Sequence, residues 1–214
     1  MKKNEKTKYV LKLIQLLKET YPDAHCALHY TTPFELLVAT ILSAQCTDVR
    51  VNIVTPALFK KFGTPEKMAK ASLSVIEGLI RSTGFYKNKA KNIIACAQAL
   101  VHEHGGHVPA DLDALVQLGG VGRKTANVVL GNVFGVPSMV VDTHVGRLSQ
   151  RFGLVSSDDP VKIERALQDI VPREDWTMFS HWLIAHGRAV CVARKPKCHD
   201  CVFNEMCPSS TLKA

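Results

Sequence analysis

A chain of 214 residues, 46% hydrophobic and 21% charged, has an ordinary globular composition and can bury one or two cores. No uninterrupted apolar run approaches the ~18 residues a membrane span needs, and the charged residues 1–8 feed an amphipathic stretch, so neither a membrane anchor nor a secretory or transit segment is expected. Twenty-seven Lys and Arg against nineteen Asp and Glu leave a net charge of +8, which points towards a polyanionic partner without singling out nucleic acid.

Nearly every periodic segment reads as helix. Val10, Leu13, Ile14 and Leu17 share one face, and Tyr21-Pro22 stops the run. Thr32-Pro33-Phe34-Glu35 is a capping box with Pro at the first helical position, opening a helix through Leu36, Leu37 and Ile41; Ser74 and Glu77 repeat the device. Thr64-Pro65 starts a short helix, and a long one from Lys87 to His104 ends at Gly105-Gly106. Asp159-Pro160 and Arg173-Glu174 begin two more. The β-like run Ser138–Val141 is too short and isolated to found a sheet. The expected fold class is all-α, and any domain boundary must be a helix-to-helix turn, since no low-complexity tether divides the chain.

Between Asp111 and Phe134, Leu112, Leu115 and Leu118 lead through Gly119-Gly120-Val121-Gly122 into Arg123-Lys124-Thr125-Ala126, a helix-hairpin-helix pattern. Gly120 and Gly122 allow positive φ and close backbone approach, so that amides at the second helix's N-terminus can point at a phosphate oxygen, with Val121 packed between the helices. Such a device holds the backbone and reads no bases. Lys124 falls in the first turn of the second helix, where the macrodipole favours a neutral, nucleophilic amine; a solvated lysine touching phosphate is the plainer alternative. Asp142, after an apolar run and before a helix, suits an N-cap, and the same carboxylate could stabilise a cationic sugar or accept a proton.

Four cysteines close the chain as Cys191-x6-Cys198-x2-Cys201-x5-Cys207. Soft thiolates suit tetrahedral zinc or an iron-sulfur cube, and one short knuckle between two longer loops favours the cube. Disulfides are disfavoured by the expected reducing compartment.

Hairpin, lysine, Val141-Asp142-Thr143-His144 and the cysteine set together resemble the endonuclease III family of DNA base-excision glycosylases. The resemblance extends over Pro33–Leu37, Leu42-Ser43-Ala44-Gln45-Cys46-Thr47-Asp48, Gly84-Phe85-Tyr86-Lys87-Asn88-Lys89-Ala90 and Gly122–Val129. It implies two helical domains with a DNA cleft between them: a six-helix barrel containing the hairpin over 26–136, and a discontinuous cluster domain over 1–25 and 137–214. It implies removal of oxidised pyrimidines from double-stranded damaged DNA after base flipping. Lys124 would be the nucleophile, Asp142 its assistant, and β-elimination from a Schiff base would cut the strand. Cys191, Cys198, Cys201 and Cys207 would hold a [4Fe-4S] cluster. DNA contacts would fall to Gly120, Gly122, Arg123, Thr125 and His144, to Gln45 filling the space left by the base, to Phe85 as a wedge, and to Arg194, Lys195 and Lys197 in a basic loop. The expected protein is a monomer without an obligate protein partner, in the cytoplasm or nucleoid.

Two positions depart from the family pattern. Gly119 stands where Pro is common, which should loosen the turn by about 0.4–1 kcal/mol, and Phe85 stands where Leu is common. Cys26, Cys46 and Cys96 read as buried packers, and Trp176, Phe179 and Trp182 as core under the cluster. His181 and His186 are assigned no ligand role. Lys87, Lys89 and Lys91 form either a phosphate-facing edge or a solvated helix face. Rival readings are a sister monofunctional glycosylase, whose members lack the hairpin lysine, and a non-catalytic iron-sulfur DNA-binding or electron-transfer protein.

Overall fold

The computed structural model describes residues 3–212, which are helical and turn structure with no β-strand among them. They form two compact units, one of residues 26–136 and one of residues up to 25 together with those from 137 onward.

The first of these carries α2 (Pro33–Leu42), α3 (Asp48–Phe62), α4 (Pro65–Ala69), α5 (Leu73–Ile80), a 3-10 turn (Arg81–Thr83), α6 (Tyr86–Glu103), α7 (Leu112–Gln117) and α8 (Arg123–Val133). Because α2 is apolar on every side, it is buried on every side: Phe34 and all of Leu36 to Leu42 are withdrawn from solvent. Against it pack α3, α6 and α8, while α6 also carries α4 and α5. The Thr32 hydroxyl accepts from the Glu35 amide at 3.2 Å as the capping box requires, but the Glu35 carboxylate returns to the Thr31 amide and hydroxyl, both at 2.7 Å, one residue earlier than the usual reciprocal arm.

Three local expectations change. Ser74 lies inside α5, whose cap is Ser72; the Ser72 hydroxyl makes no capping bond to a helix amide and lies 3.1 Å from the Ser74 hydroxyl, so Ser74 and Glu77 make no capping box. The helix expected from Arg173-Glu174 opens as a 3-10 turn (Arg173–Asp175), and α-helix begins only at Trp176. Helix α3 was not anticipated, because Pro56 within it reads as a breaker; Thr47 nevertheless caps it by accepting from the Arg50 amide at 3.3 Å.

The second unit joins α1 (Lys3–Thr20) to α9 (Thr143–Arg151), α10 (Pro160–Gln168) and α11 (Trp176–Ala189). Val10, Leu13, Ile14 and Leu17 bury the face that their spacing predicts, in one core with Val145, Leu148, Phe179 and Leu183. Lys18 adds a polar tie, 2.8 Å from Asp175 and 5.5 Å from the ring centre of Trp182. The extended run Ser138–Val141 lies on α11 instead of in a sheet. Its amides are satisfied by hydroxyls, Ser138 by Thr177 at 3.2 Å and Val140 by Ser180 at 2.9 Å.

Candidate functional site

The hairpin is built from α7, a five-residue turn and α8. Asp111 caps α7 by accepting from the Ala114 amide at 2.8 Å, and the Val121 amide returns to Leu118 O at 3.1 Å. Val121, 6% exposed, drives the turn into the core. Gly120 has φ +76°, and a Cβ there would lie 2.8 Å from Asn92 Cβ, so this position requires glycine twice over. Gly122 does not: its φ is −93° and a Cβ would meet nothing within 4 Å, so of the two glycines Gly120 alone uses the positive φ open to both. Its value is the open space itself, at the start of a helix whose cap has no side chain and whose first amides have no intrahelical partner. Gly119 is also more than a loosened proline. A Cβ there would lie 3.0 Å from Asn92 O and 3.2 Å from Cys96 N, so glycine lets the hairpin approach α6 closely. Arg123 and Lys124 are exposed in the first turn of α8, and Thr125 is half-buried.

Asp142 caps α9, accepting from the Val145 amide at 2.8 Å while half-buried. The capping role expected of it is observed. His144, two residues on, accepts at Nδ1 from Arg147 at 3.2 Å, and it lies so near α11 that a Cβ on Gly187 would be 2.8 Å from that nitrogen. Burial holds its pKa below the usual histidine value, with the Asp142 charge acting the other way.

Among the described residues, the non-glycine positions with positive φ are Gln45 (53°), Phe85 (48°) and Lys195 (54°). All three are candidate DNA contacts from the sequence, and backbone held in sparsely populated regions clusters at functional sites. Gln45 is exposed in the turn after α2, and Phe85 is 65% exposed at the start of α6, an apolar ring presented to solvent by a strained backbone. Lys89 corrects the sequence reading outright. Lys87 and Lys91 are exposed, but Lys89 is 5% exposed and donates to Leu42 O and Thr83 O, both at 2.8 Å, so it is neither a phosphate edge nor a solvated face. Cys96 is fully buried and its thiol is pushed up to about 12, whereas Cys26 and Cys46 are only half-buried, less withdrawn than expected.

Cys191, Cys198, Cys201 and Cys207, each half-buried, line a single recess. No set of three or more His, Cys, Asp or Glu among the described residues could hold one metal ion. Four soft thiolate donors around one space fit an iron-sulfur cube. Three neighbours were missed as partners of this site. His186, 1% exposed, holds Tyr21 Oη at 2.7 Å on Nδ1 and lies 3.6 Å from Cys201 Sγ through Nε2. Burial lowers its pKa to about 4, and its two ring nitrogens face the Tyr21 hydroxyl and the Cys201 sulfur. Arg151 donates to Cys191 Sγ at 3.2 Å and to Val192 O and Ala193 O at 2.9 Å, while Arg147 donates to Cys191 O at 3.0 Å. These two arginines, one turn apart on α9, anchor the start of the loop in which Arg194, Lys195 and Lys197 are exposed. Trp182 and Phe179 are buried beneath it as expected, and Trp176 is half-buried with its indole bonded to Val171 O at 3.0 Å.

Residues 38–173 match the HhH-GPD superfamily of base excision DNA repair proteins, and residues 191–207 match the iron-sulfur binding domain of endonuclease III. Endonuclease III of Synechocystis sp. is 53% identical, over 92% of this chain and 91% of that protein. The Bacillus subtilis enzyme is 47% identical over 88% and 87%, and that of Escherichia coli K12 is 42% identical over 92% and 93%. Two solved structures, a trapped endonuclease III–DNA covalent intermediate and a non-covalent endonuclease III–DNA complex, each superpose with TM-score 0.91 at 43% identity, covering 95% of this chain and 96% of theirs. A thermostable thymine-DNA glycosylase superposes with TM-score 0.83 at 25% identity, covering 97% of each.

Proposed function

Since this chain belongs to the endonuclease III family of base-excision repair proteins, we infer that its strand-cutting chemistry runs through Lys124. The family activity is that of a bifunctional DNA glycosylase and abasic-site lyase acting on oxidised pyrimidines, and its cofactor is a [4Fe-4S] cluster. In this reading the Lys124 amine, having lost its proton, attacks C1′ of the flipped nucleotide. The C1′–N bond breaks and the base departs with the electron pair, taking up a proton. Opening of the sugar ring leaves a protonated imine between C1′ and the lysine nitrogen. Loss of a proton from C2′ then expels the 3′ phosphate oxygen, and water hydrolyses the imine to free the lysine. Asp142, held by its bond to the Val145 amide, stabilises positive charge developing on the sugar.

Around that step, the Gly120 and Gly122 amides with Arg123 and Thr125 hold phosphate, and His144 adds a contact from the first turn of α9. Gln45 and Phe85 enter the stack from which the base has left. Cys191, Cys198, Cys201 and Cys207 ligate the cluster, which when bound supplies four iron–thiolate bonds that cross-link the tail. Those bonds and the two α9 arginines would set the basic loop of Arg194, Lys195 and Lys197 against the DNA backbone. The barrel and hairpin correspond to the 26–136 unit and the cluster domain to the other. The partner is double-stranded damaged DNA, one chain suffices because it carries one such lysine, and the cytoplasm is the site of action; no described helix is long and apolar enough to cross a membrane.

The observation that carries this reading is the exposed Lys124 in the first turn of α8, two residues after the open glycine cap. Strand cutting of a duplex carrying thymine glycol tests it. Lys124→Ala is expected to bind the duplex as the parent does and to cut it at least about a thousandfold more slowly. Undiminished cutting by the variant would reject Lys124 as nucleophile.

A further inference from the structure

Lys89 makes its bonds at a junction. Its main-chain amide closes the first turn of α6 onto Phe85 O at 3.1 Å, and its ammonium reaches Thr83 O, two residues before Phe85, and Leu42 O, three before Gln45. Leu42 ends α2, where unsatisfied carbonyls and the negative end of the helix dipole favour a cation. The Cys46 amide turns back to Ser43 O at 3.0 Å, folding the chain tightly around Gln45. On the other side the buried Thr83 hydroxyl binds Ile80 O at 2.8 Å and fixes the turn that leads through Gly84, φ +70°, to Phe85. One ammonium thus bridges the two segments whose backbones are strained to present Gln45 and Phe85.

Burial pulls the Lys89 pKa down, so the ammonium carries a desolvation cost; a methionine of similar length would fill the space without a charge but would leave the Leu42 and Thr83 carbonyls without this donor. A buried polar group bonded to two separate segments defines their geometry more sharply than an apolar one does.

We propose that Lys89 is a positioning residue that locks the Gln45 turn to the Phe85 turn, so that the two side chains enter the DNA stack as one rigid tool. This rests on the DNA-entering roles of Gln45 and Phe85 proposed above. The lock matters when the enzyme must open paired, stacked DNA, and it is dispensable when the lesion is already unpaired.

The experiment compares single-turnover cutting of thymine glycol in a fully paired duplex and in an unpaired bubble, at saturating protein. The iron-loaded proteins are the parent, Lys89→Met, Lys89→Gln, Phe85→Ala, Gln45→Ala and the combination of Lys89→Met with Phe85→Ala. Lys89→Met is expected to lose about 10- to 100-fold on the paired duplex, to match the parent on the bubble, and to add little to the loss of Phe85→Ala. Lys89→Gln, which keeps a donor, is expected to fall between. Equal loss on both substrates, no loss on either, or full additivity with Phe85→Ala would overturn the proposal. So would failure of both Lys89 variants to fold, which would make Lys89 a residue of the fold alone. If Phe85→Ala and Gln45→Ala spare the paired duplex, the DNA-entering roles fall and the lock falls with them. If they show the paired-duplex defect and Lys89→Met does not, only the lock falls.

Discussion

Gly120 and Gly122 stand two residues apart in one turn and need glycine for different reasons. Gly120→Ala would force a side chain into φ +76° against Asn92, and is expected to cost about 1–3 kcal/mol of stability. Gly122→Ala meets no atom within 4 Å at an ordinary φ, so unfolding should shift by less than about 0.5 kcal/mol. DNA affinity should nonetheless fall, because the added methyl occupies the approach to the α8 amides. Denaturant unfolding beside a binding titration separates the two; equal behaviour would mean the open space at Gly122 is not where phosphate sits. The sequence pattern marks both glycines without distinguishing them, since φ depends on the path of the chain. Lys89 was obscure for a related reason. Lys87, Lys89 and Lys91 look alike in sequence, and only the packing of α6 shows that the middle one turns inward. The caps at Thr32 and Asp142 were legible because each bonds an amide within its own turn.

At the scale of elements, α1 was readable from its apolar spacing, and its contribution should follow from burial. Leu13→Ala, at a fully buried position, is expected to cost about 2–5 kcal/mol in denaturant unfolding. A cost below about 1 kcal/mol would mean that α1 is not integral to that core. Helix α3 was hidden by Pro56, which tertiary packing tolerates although local propensity does not. Helix α9 holds what sequence spacing could not assign. Arg147 and Arg151 look like surface charges, but they turn onto the carbonyls of Cys191, Val192 and Ala193 across about forty residues of chain. Arg151→Met should therefore weaken DNA binding by roughly tenfold, 1.4 kcal/mol, while the rate of strand cutting at saturating protein stays unchanged. Unaltered affinity would remove the arginine's role in presenting the basic loop. His186, i−5 from the first cysteine on the same helix end, is a signal that could have been read, but only the fold brings Tyr21 to its other nitrogen.

For the whole molecule, the net charge of +8 acquires meaning from its placement. Arg123 and Lys124 follow an open helix cap, and Arg194, Lys195 and Lys197 occupy an anchored loop. Affinity for duplex DNA is expected to fall linearly with salt on logarithmic axes, and Lys195→Ala to lower that slope by about 1; an unchanged slope would place Lys195 away from phosphate. The all-α class was legible because helical periodicity recurs along the chain, and the cluster because thiol spacing is a local code. The central claim is that one lysine bonds covalently to the damaged nucleotide. Borohydride reduction of the folded, iron-loaded protein on a thymine glycol duplex, followed by mapping of the DNA-bearing peptide, tests it most directly. A single adduct on Lys124, absent from Lys124→Ala, is expected; no adduct, or one mapped to another residue, would remove Lys124 as the nucleophile.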